Sequence, residues 1–274
     1  MPKPFEIWDG KFRNAFISVI MNGVFANDFY ICLGLGSNLG NKEDNLIKAL
    51  KLIKDLAFEH NGPGFLSCVH IACASPLYLS SPVGNEKSNT DMAGGPFFLN
   101  CIVVLALTVV FSDGRDNRGQ VGIRAAGAGL AGLGVIGGIG GAGVWTEEVS
   151  SFAVRFLHYL KNIEKSMGRK EERKRYMPRI IDIDMLFIFD KNRNEFATVN
   201  LPELKLPHAE IFNRKFVLKP LLDLSYPFNF RAPFDKESIK KALAELENET
   251  AGASQKIFYY GEFDKNLTQI LRQR

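Results

Sequence analysis

At 274 residues with a formal charge of +4, the chain is long enough to bury a full core and too evenly charged to require a nucleic-acid or membrane partner. Hydrophobic residues at 46% and charged residues at 23% match a soluble globular protein and exclude a disordered one. Cys32, Cys68, Cys73 and Cys101 sit among apolar neighbours with neither Cys-x-x-Cys pairing nor zinc-ligand spacing, and read as buried free thiols in a reducing compartment such as the cytoplasm.

Residues 1–28 read as an N-terminal extension. Their apolar stretch, Ala15 to Ala26, follows Glu6 and Asp9 and lacks the positive start of a cleaved targeting peptide. Phe29–Leu35 is a short apolar strand that ends on the turn-forming run Gly36-Ser37-Asn38-Leu39-Gly40. From Lys42 to Phe58, Leu46, Ala49, Leu50, Ile53 and Leu56 recur at helical spacing. Phe65–Ala74 is strand-like, Ser80 to Pro96 is a loop, and Phe97–Phe111 is a second buried strand.

Helical spacing resumes after Thr146, a candidate N-cap, through Phe152, Phe156, Leu160 and Ile163. A basic stretch, Arg169 to Arg179, leads to a third core strand, Ile180–Phe189. The order β-α-β-β-α-β predicts an α+β fold, a ferredoxin-like sandwich with an antiparallel sheet. The expected domain is 29–230, carrying a Gly-rich insertion over 112–146 and followed by a helical tail, 231–274.

The insertion contains overlapping Gly-x-Gly-x-x-Gly matches, such as Gly127/Gly129/Gly132, that its composition alone produces. A dinucleotide fingerprint needs a strand directly before it, and Asp113 to Gln120 is loop-like. A membrane span from Ala125 to Trp145 would split one globular domain in two, so the insertion reads as a flexible loop.

The sharpest motif is Pro178-Arg179-Ile180-Ile181-Asp182-Ile183-Asp184. In a strand, Asp182 and Asp184 share one face while Ile181, Ile183 and Met185 share the other. Paired carboxylates repel, and a divalent cation relieves them; hard oxygen ligands favour magnesium. The same pair equally suits a solvent face, salt-bridged to lysines. Within Lys161–Arg179, eight Lys/Arg residues stand against three Glu, which beside a metal pair reads as a phosphate clamp. A Lys/Arg-Gly-Phe-Gly-Phe type signature is missing, which argues against an RNA-binding ferredoxin-like module.

Four segments in order resemble the 6-hydroxymethyl-7,8-dihydropterin pyrophosphokinase family. They are Leu35-Gly36-Ser37-Asn38-Leu39-Gly40, Phe97-Phe98-Leu99-Asn100, Gly168-Arg169 with Pro178 to Asp184, and Leu206-Pro207-His208 with Arg214 to Leu221. The resemblance covers about Phe29–Phe111 and Glu147–Phe230. It implies transfer of diphosphate from ATP, the co-substrate, to the pterin hydroxymethyl group in folate biosynthesis, with release of AMP.

The resemblance also implies site residues. Asp182 and Asp184 would ligate two magnesium ions, with Arg169 and Arg179 catalytic beside them. Arg169, Arg179, His208 and Arg214 would contact the triphosphate, with Glu164 and Ile183 on the nucleotide side. Phe98 and Phe216 would sandwich the pterin, Asn100 would bond its edge, and Ser80, Ser81, Val83 and Tyr176 would complete that pocket. Tyr176 stands where the family usually has Trp, and Met177 replaces the usual Gly. Members are often fused to other folate enzymes, so a fragment of such a protein, or a non-catalytic relative, is the alternative reading.

Overall fold

The computed structural model describes residues 24–55, 65–82, 97–112, 142–169, 178–191, 193–224, 230–248 and 255–263. Residues 1–23 and 113–141, which hold most of the expected extension and insertion, lie outside the described residues.

The long strand β1 (Val24–Ser37) is the centre of the sheet. Its alternation is two-sided: Phe29, Ile31, Leu33 and Leu35 enter one core, while Tyr30 and Cys32 enter another on the opposite face. Helix α1 (Lys42–Lys54) follows, capped by Asn41, whose side chain accepts from the Asp44 N–H at 3.3 Å. It buries Leu46, Ala49, Leu50 and Ile53 against the first core.

Strands β2 (Phe65–Ala74) and β3 (Leu77–Ser80) run along one partner, β4 (Phe98–Ser112). They are interrupted at Ser75–Pro76, where proline has no N–H to give the ladder. Ser75 bridges the gap: its N–H donates to the Ile102 carbonyl at 2.8 Å, and its hydroxyl accepts from the Ile102 N–H at 2.9 Å.

Helix α2 (Ala142–Ser166) lays Val149, Phe152, Ala153, Phe156, Leu160 and Ile163 on the first core beside α1. It begins before Thr146, which lies inside the helix and is not its N-cap. A capping preference is local, and the hydrogen-bonded turns of this long amphipathic helix continue through it. Strand β5 (Asp182–Asp190) then pairs antiparallel with β1.

The core order β5-β1-β4-β2/β3 is that of a ferredoxin-like βαββαβ unit, with an antiparallel sheet as the sequence predicted. Short strands β6 (Glu195–Phe196), β7 (Val199–Asn200) and β8 (Lys205–Leu206) follow. A 3-10 turn (Ile211–Asn213) then leads into α3 (Lys215–Leu222).

Helices α3 and α4 (Lys236–Asn248) cover the second face over an aromatic cluster, with Phe187 stacked 4.4 Å from Phe234 and Phe212 stacked 5.6 Å from Phe234. Strand β9 (Ile257–Gly261) extends the sheet beyond β3. Residues read from sequence as a tail thus supply both a packed helix and an edge strand. No described helix is long and apolar enough to cross a membrane.

Candidate active site

The strand alternation read from the sequence is present. Ile181, Ile183 and Met185 enter the first core, and Asp182 and Asp184 stand on the opposite face. Past Met185 the register with β1 shifts, and both Leu186 and Phe187 then serve the second core. The two carboxylates therefore share a face with the α3 layer. Their side chains stay 23% and 34% exposed.

What lies beside them follows from register. Asp182 pairs with Gly36, Gly36 with Asn100, Asn100 with Tyr78, and Tyr78 with Tyr259, one row across five strands. In the next row of that face Asp184 pairs with Gly34, and Gly34 with Ile102. Residues in such rows are lateral neighbours on one face. Glycines at 34 and 36 thus leave a trough between the carboxylates and Asn100. A Cβ at Gly36 would lie 3.0 Å from the Asn100 Oδ1 and 3.7 Å from Phe98.

Asn100 is buried and oriented. Its Nδ2 donates to the Ser80 hydroxyl at 2.9 Å and reaches the carbonyls of Phe98 and Tyr78, leaving Oδ1 turned toward Gly36. Ser81 is engaged elsewhere: its N–H donates to the Lys256 carbonyl and its hydroxyl accepts from the Lys256 N–H, both at 3.0 Å. The two serines fix Asn100 and the strand end. Helix α3, which carries half-buried Phe216 in its first turn, packs against β3 and β4, the strands of Ser80, Phe98 and Asn100. Val83 and Tyr176 lie outside the described residues.

The cations arrive by separate routes. Helix α2 stops at Gly168, whose φ of +101° a side-chain-bearing residue rarely adopts. The Gly168 N–H donates to the Lys165 carbonyl at 2.9 Å and the Arg169 N–H to the Glu164 carbonyl at 3.0 Å, the bond pair of a Schellman stop. That motif brings the side chains of Glu164 and Arg169 together, here as an ion pair. Arg169 Nη1 also donates to Asp182 Oδ1 at 2.7 Å, and Arg179 bonds the other oxygen. Arg214 lies 3.4 Å from Asp184 and over the Phe216 ring, 5.7 Å from its centre.

Four cations, Lys161, Arg169, Arg179 and Arg214, thus face three carboxylates, Glu164, Asp182 and Asp184. Burial would raise the Asp182 carboxyl, but Arg179, Arg169 and Lys161 outweigh it and hold it below the usual carboxylate range. Burial lifts the Glu164 carboxyl, with Lys161, the Ile183 N–H and Arg169 pulling the other way. His208 is lowered, first by burial and then by Arg214 and Lys161, against Asp184 and Glu210, so it is neutral at pH 7. Its Nδ1 accepts from the Glu210 N–H at 3.1 Å, which leaves the ring proton on Nε2.

The fold therefore gathers Asp182, Asp184, Arg169, Arg179, Arg214 and His208 at one end of the sheet, with Asn100 across the glycine trough. Sequence reasoning missed Gly34, Lys161 and the structural part played by Asn38. The alternating glycines at the end of an apolar strand were a usable signal, since glycine inside a strand often marks a place where a ligand or another backbone approaches closely.

Residues 143–226 match the family model described as 7,8-dihydro-6-hydroxymethylpterin-pyrophosphokinase. The chain is 28% identical over 194 residues to a folate synthesis bifunctional protein of Arabidopsis thaliana, covering 71% of this chain and 26% of that protein. It is 38% identical over 91 residues to the bifunctional protein FolKE of Lactococcus lactis, covering 33% of this chain and 23% of that protein. It is 37% identical over 86 residues to the 2-amino-4-hydroxy-6-hydroxymethyldihydropteridine pyrophosphokinase of Methylorubrum extorquens, covering 31% and 48%. The matches thus span about a quarter of the bifunctional relatives and about half of the single-function one.

Proposed function

We propose that this chain, a member of the 7,8-dihydro-6-hydroxymethylpterin-pyrophosphokinase family, transfers the terminal diphosphate of ATP to the hydroxymethyl oxygen of 6-hydroxymethyl-7,8-dihydropterin. The observation that carries this reading is the row Asp182–Gly36–Asn100, with arginines on the carboxylate side and the Phe98 and Asn100 strand on the other. A polyphosphate suits the first end and a flat, polar-edged heterocycle the second, close enough to react.

The pterin hydroxyl oxygen bonds the β-phosphorus as the bond from that phosphorus to the α,β-bridging oxygen breaks. AMP leaves with the bridging oxygen, and the hydroxyl proton departs through an oxygen of Asp182 or Asp184. In the structure Arg169, Arg179 and Arg214 are paired with these aspartates. On binding, the guanidiniums would turn to phosphate oxygens, where forked donors fit. Neutral His208 would offer its Nε2–H to the same group.

Magnesium fits the donor set. Two hard carboxylates on one face, completed by phosphate oxygens and water, are what this ion takes in nucleotide sites, which are not closed protein cages. Asp182 and Asp184 would hold it, and when bound it would neutralise charge on the polyphosphate. On the pterin side, Phe98 and Phe216 would flank the ring and the Asn100 Oδ1 would accept from its amino edge, with Ser80 behind it.

The test is AMP release from ATP, magnesium and the pterin alcohol. The unsubstituted chain should form AMP, and Asp184→Ala should lose it with an unchanged unfolding transition. Substantial residual turnover in Asp184→Ala would remove that carboxylate from the mechanism. No AMP from the unsubstituted chain would make it a non-catalytic relative.

A further inference from the structure

Among the described strands, β5 has a neighbour on one side only where it matters most. Strand β1 pairs its inner edge, and β6 pairs its outer edge only at Phe189 and Asp190. At Ile183, between the two aspartates, no described strand meets the outer edge. An unpaired peptide there would leave a buried donor and acceptor without partners, and a strand free to shift.

Two side chains of α2 fill the place of the missing strand. Glu164 Oε1 accepts from the Ile183 N–H at 2.7 Å, and Lys161 Nζ donates to the Ile183 carbonyl at 3.2 Å. Lys161 and Glu164 are three residues apart, on one helical face, and bond each other at 3.0 Å. The second Glu164 oxygen takes Arg169, which reaches on to Asp182. Both oxygens are therefore engaged within the protein, and the residue is fully buried, at 0% exposure.

A buried carboxylate is a poor way to stabilise a core, because desolvation offsets most of its Coulombic gain; an apolar side chain of similar size would serve stability as well or better. What this pair provides is a hold on both peptide planes that flank Ile183, Glu164 on the one that joins it to Asp182 and Lys161 on the one that joins it to Asp184. The orientation of those planes sets the directions of the Asp182 and Asp184 side chains.

We infer that Lys161 and Glu164 form a clasp that acts as a positioning device, holding the Ile183 peptide so that Asp182 and Asp184 converge on a divalent cation. The inference rests on the proposed function for its purpose, but its readouts do not depend on turnover. Residues that orient first ligands are typically worth about 10- to 100-fold in metal affinity.

The test uses the full chain, Mn2+ alone as probe, and the variants Lys161→Met and Lys161→Arg, with Glu164→Gln as a second route. Lys161 is partly exposed, so its loss should leave the fold in place. Lys161→Met should speed amide exchange at Ile183 and weaken Mn2+ binding about tenfold, while Lys161→Arg retains most of both. The sign is decisive: removing a cation beside two carboxylates should tighten Mn2+ binding if Lys161 acts only through its charge. Tighter or unchanged binding, or unchanged Ile183 exchange, overturns the clasp as a positioning device. Absence of AMP from the unsubstituted chain would instead overturn the proposed function, with exchange and Mn2+ affinity still reporting on the clasp.

Discussion

Asn38 holds the Arg179 backbone with both its side chain and its own backbone: the Asn38 side-chain oxygen accepts from the Arg179 N–H at 2.6 Å, and the Asn38 N–H donates to the Arg179 carbonyl at 3.1 Å. The two residues are far apart in sequence, and Asn38 is only 4% exposed. This reciprocal pair ties the turn after β1 to the segment that enters β5, and so sets where the Arg179 guanidinium meets Asp182.

Asn38→Ala should therefore leave the Arg179 N–H without its partner. The expected loss of unfolding free energy is about 1 kcal/mol, the low end of the penalty for an orphaned donor, because this bond is only partly buried. Asn38→Asp keeps the acceptor oxygen and should lose less. Urea denaturation of the two variants checks the order, and equal losses would show that the side-chain oxygen is not what matters.

Gly168 carries a second prediction. Its positive φ disfavours any Cβ, and the Cβ would also sit 3.1 Å from the Ile180 side chain. Gly168→Ala should destabilise the protein by roughly 1–2 kcal/mol, the scale of left-handed strain in L-residues. The stop also delivers Arg169 to Asp182, so turnover should fall further than stability explains. A variant with shifted urea midpoint but unaltered kcat would separate the helix stop from the site.

Much of this was legible beforehand because it depends on local periods. Alternation placed Asp182 and Asp184 on one face, and the β-α-β-β-α-β order predicted the sheet. The helix start at Thr146 was misplaced, since a cap preference is small beside the hydrogen bonds of a long helix. The clasp of Lys161 and Glu164 on Ile183 was not visible, because it needs the knowledge that no described strand pairs the outer edge of β5 there. Nor was strand β9: Phe258, Tyr259 and Tyr260 carry no alternation, being half or more exposed at the sheet edge.

The thiols make a chemical prediction. Burial pushes Cys73 up to about 12, with only the Val104 backbone opposing, and lifts Cys32 and Cys101 well above the usual range. The thiolate is the reactive form, so raised values keep all three protonated and slow through pH 8. In a Cys68→Ser background, the native protein should give almost no reaction with a disulfide reagent at that pH, and three thiols after denaturation. Rapid reaction of the folded protein would contradict the packing around β1 and β4.

Gly36 offers the sharpest test of the trough. Its φ is not of the left-handed kind, so alanine is compatible with the strand and the fold should survive. The added methyl would stand 3.0 Å from the Asn100 Oδ1, tighter than ordinary contact. Asn100 cannot swing aside freely, because its Nδ2 is bonded to Ser80 and its neighbours' carbonyls. The acceptor proposed for the pterin edge would be both displaced and shielded. Loss of one such bond, worth about 1.4 kcal/mol, corresponds to a tenfold weaker pterin affinity. Fluorescence titration should record that loss in Gly36→Ala, while binding of an ATP analogue with magnesium changes little, since the added methyl points at the Asn100 side. An equal loss for both ligands would mean that the methyl disturbs Asp182, across the row in β5, as much as Asn100, and that the trough is not divided as proposed.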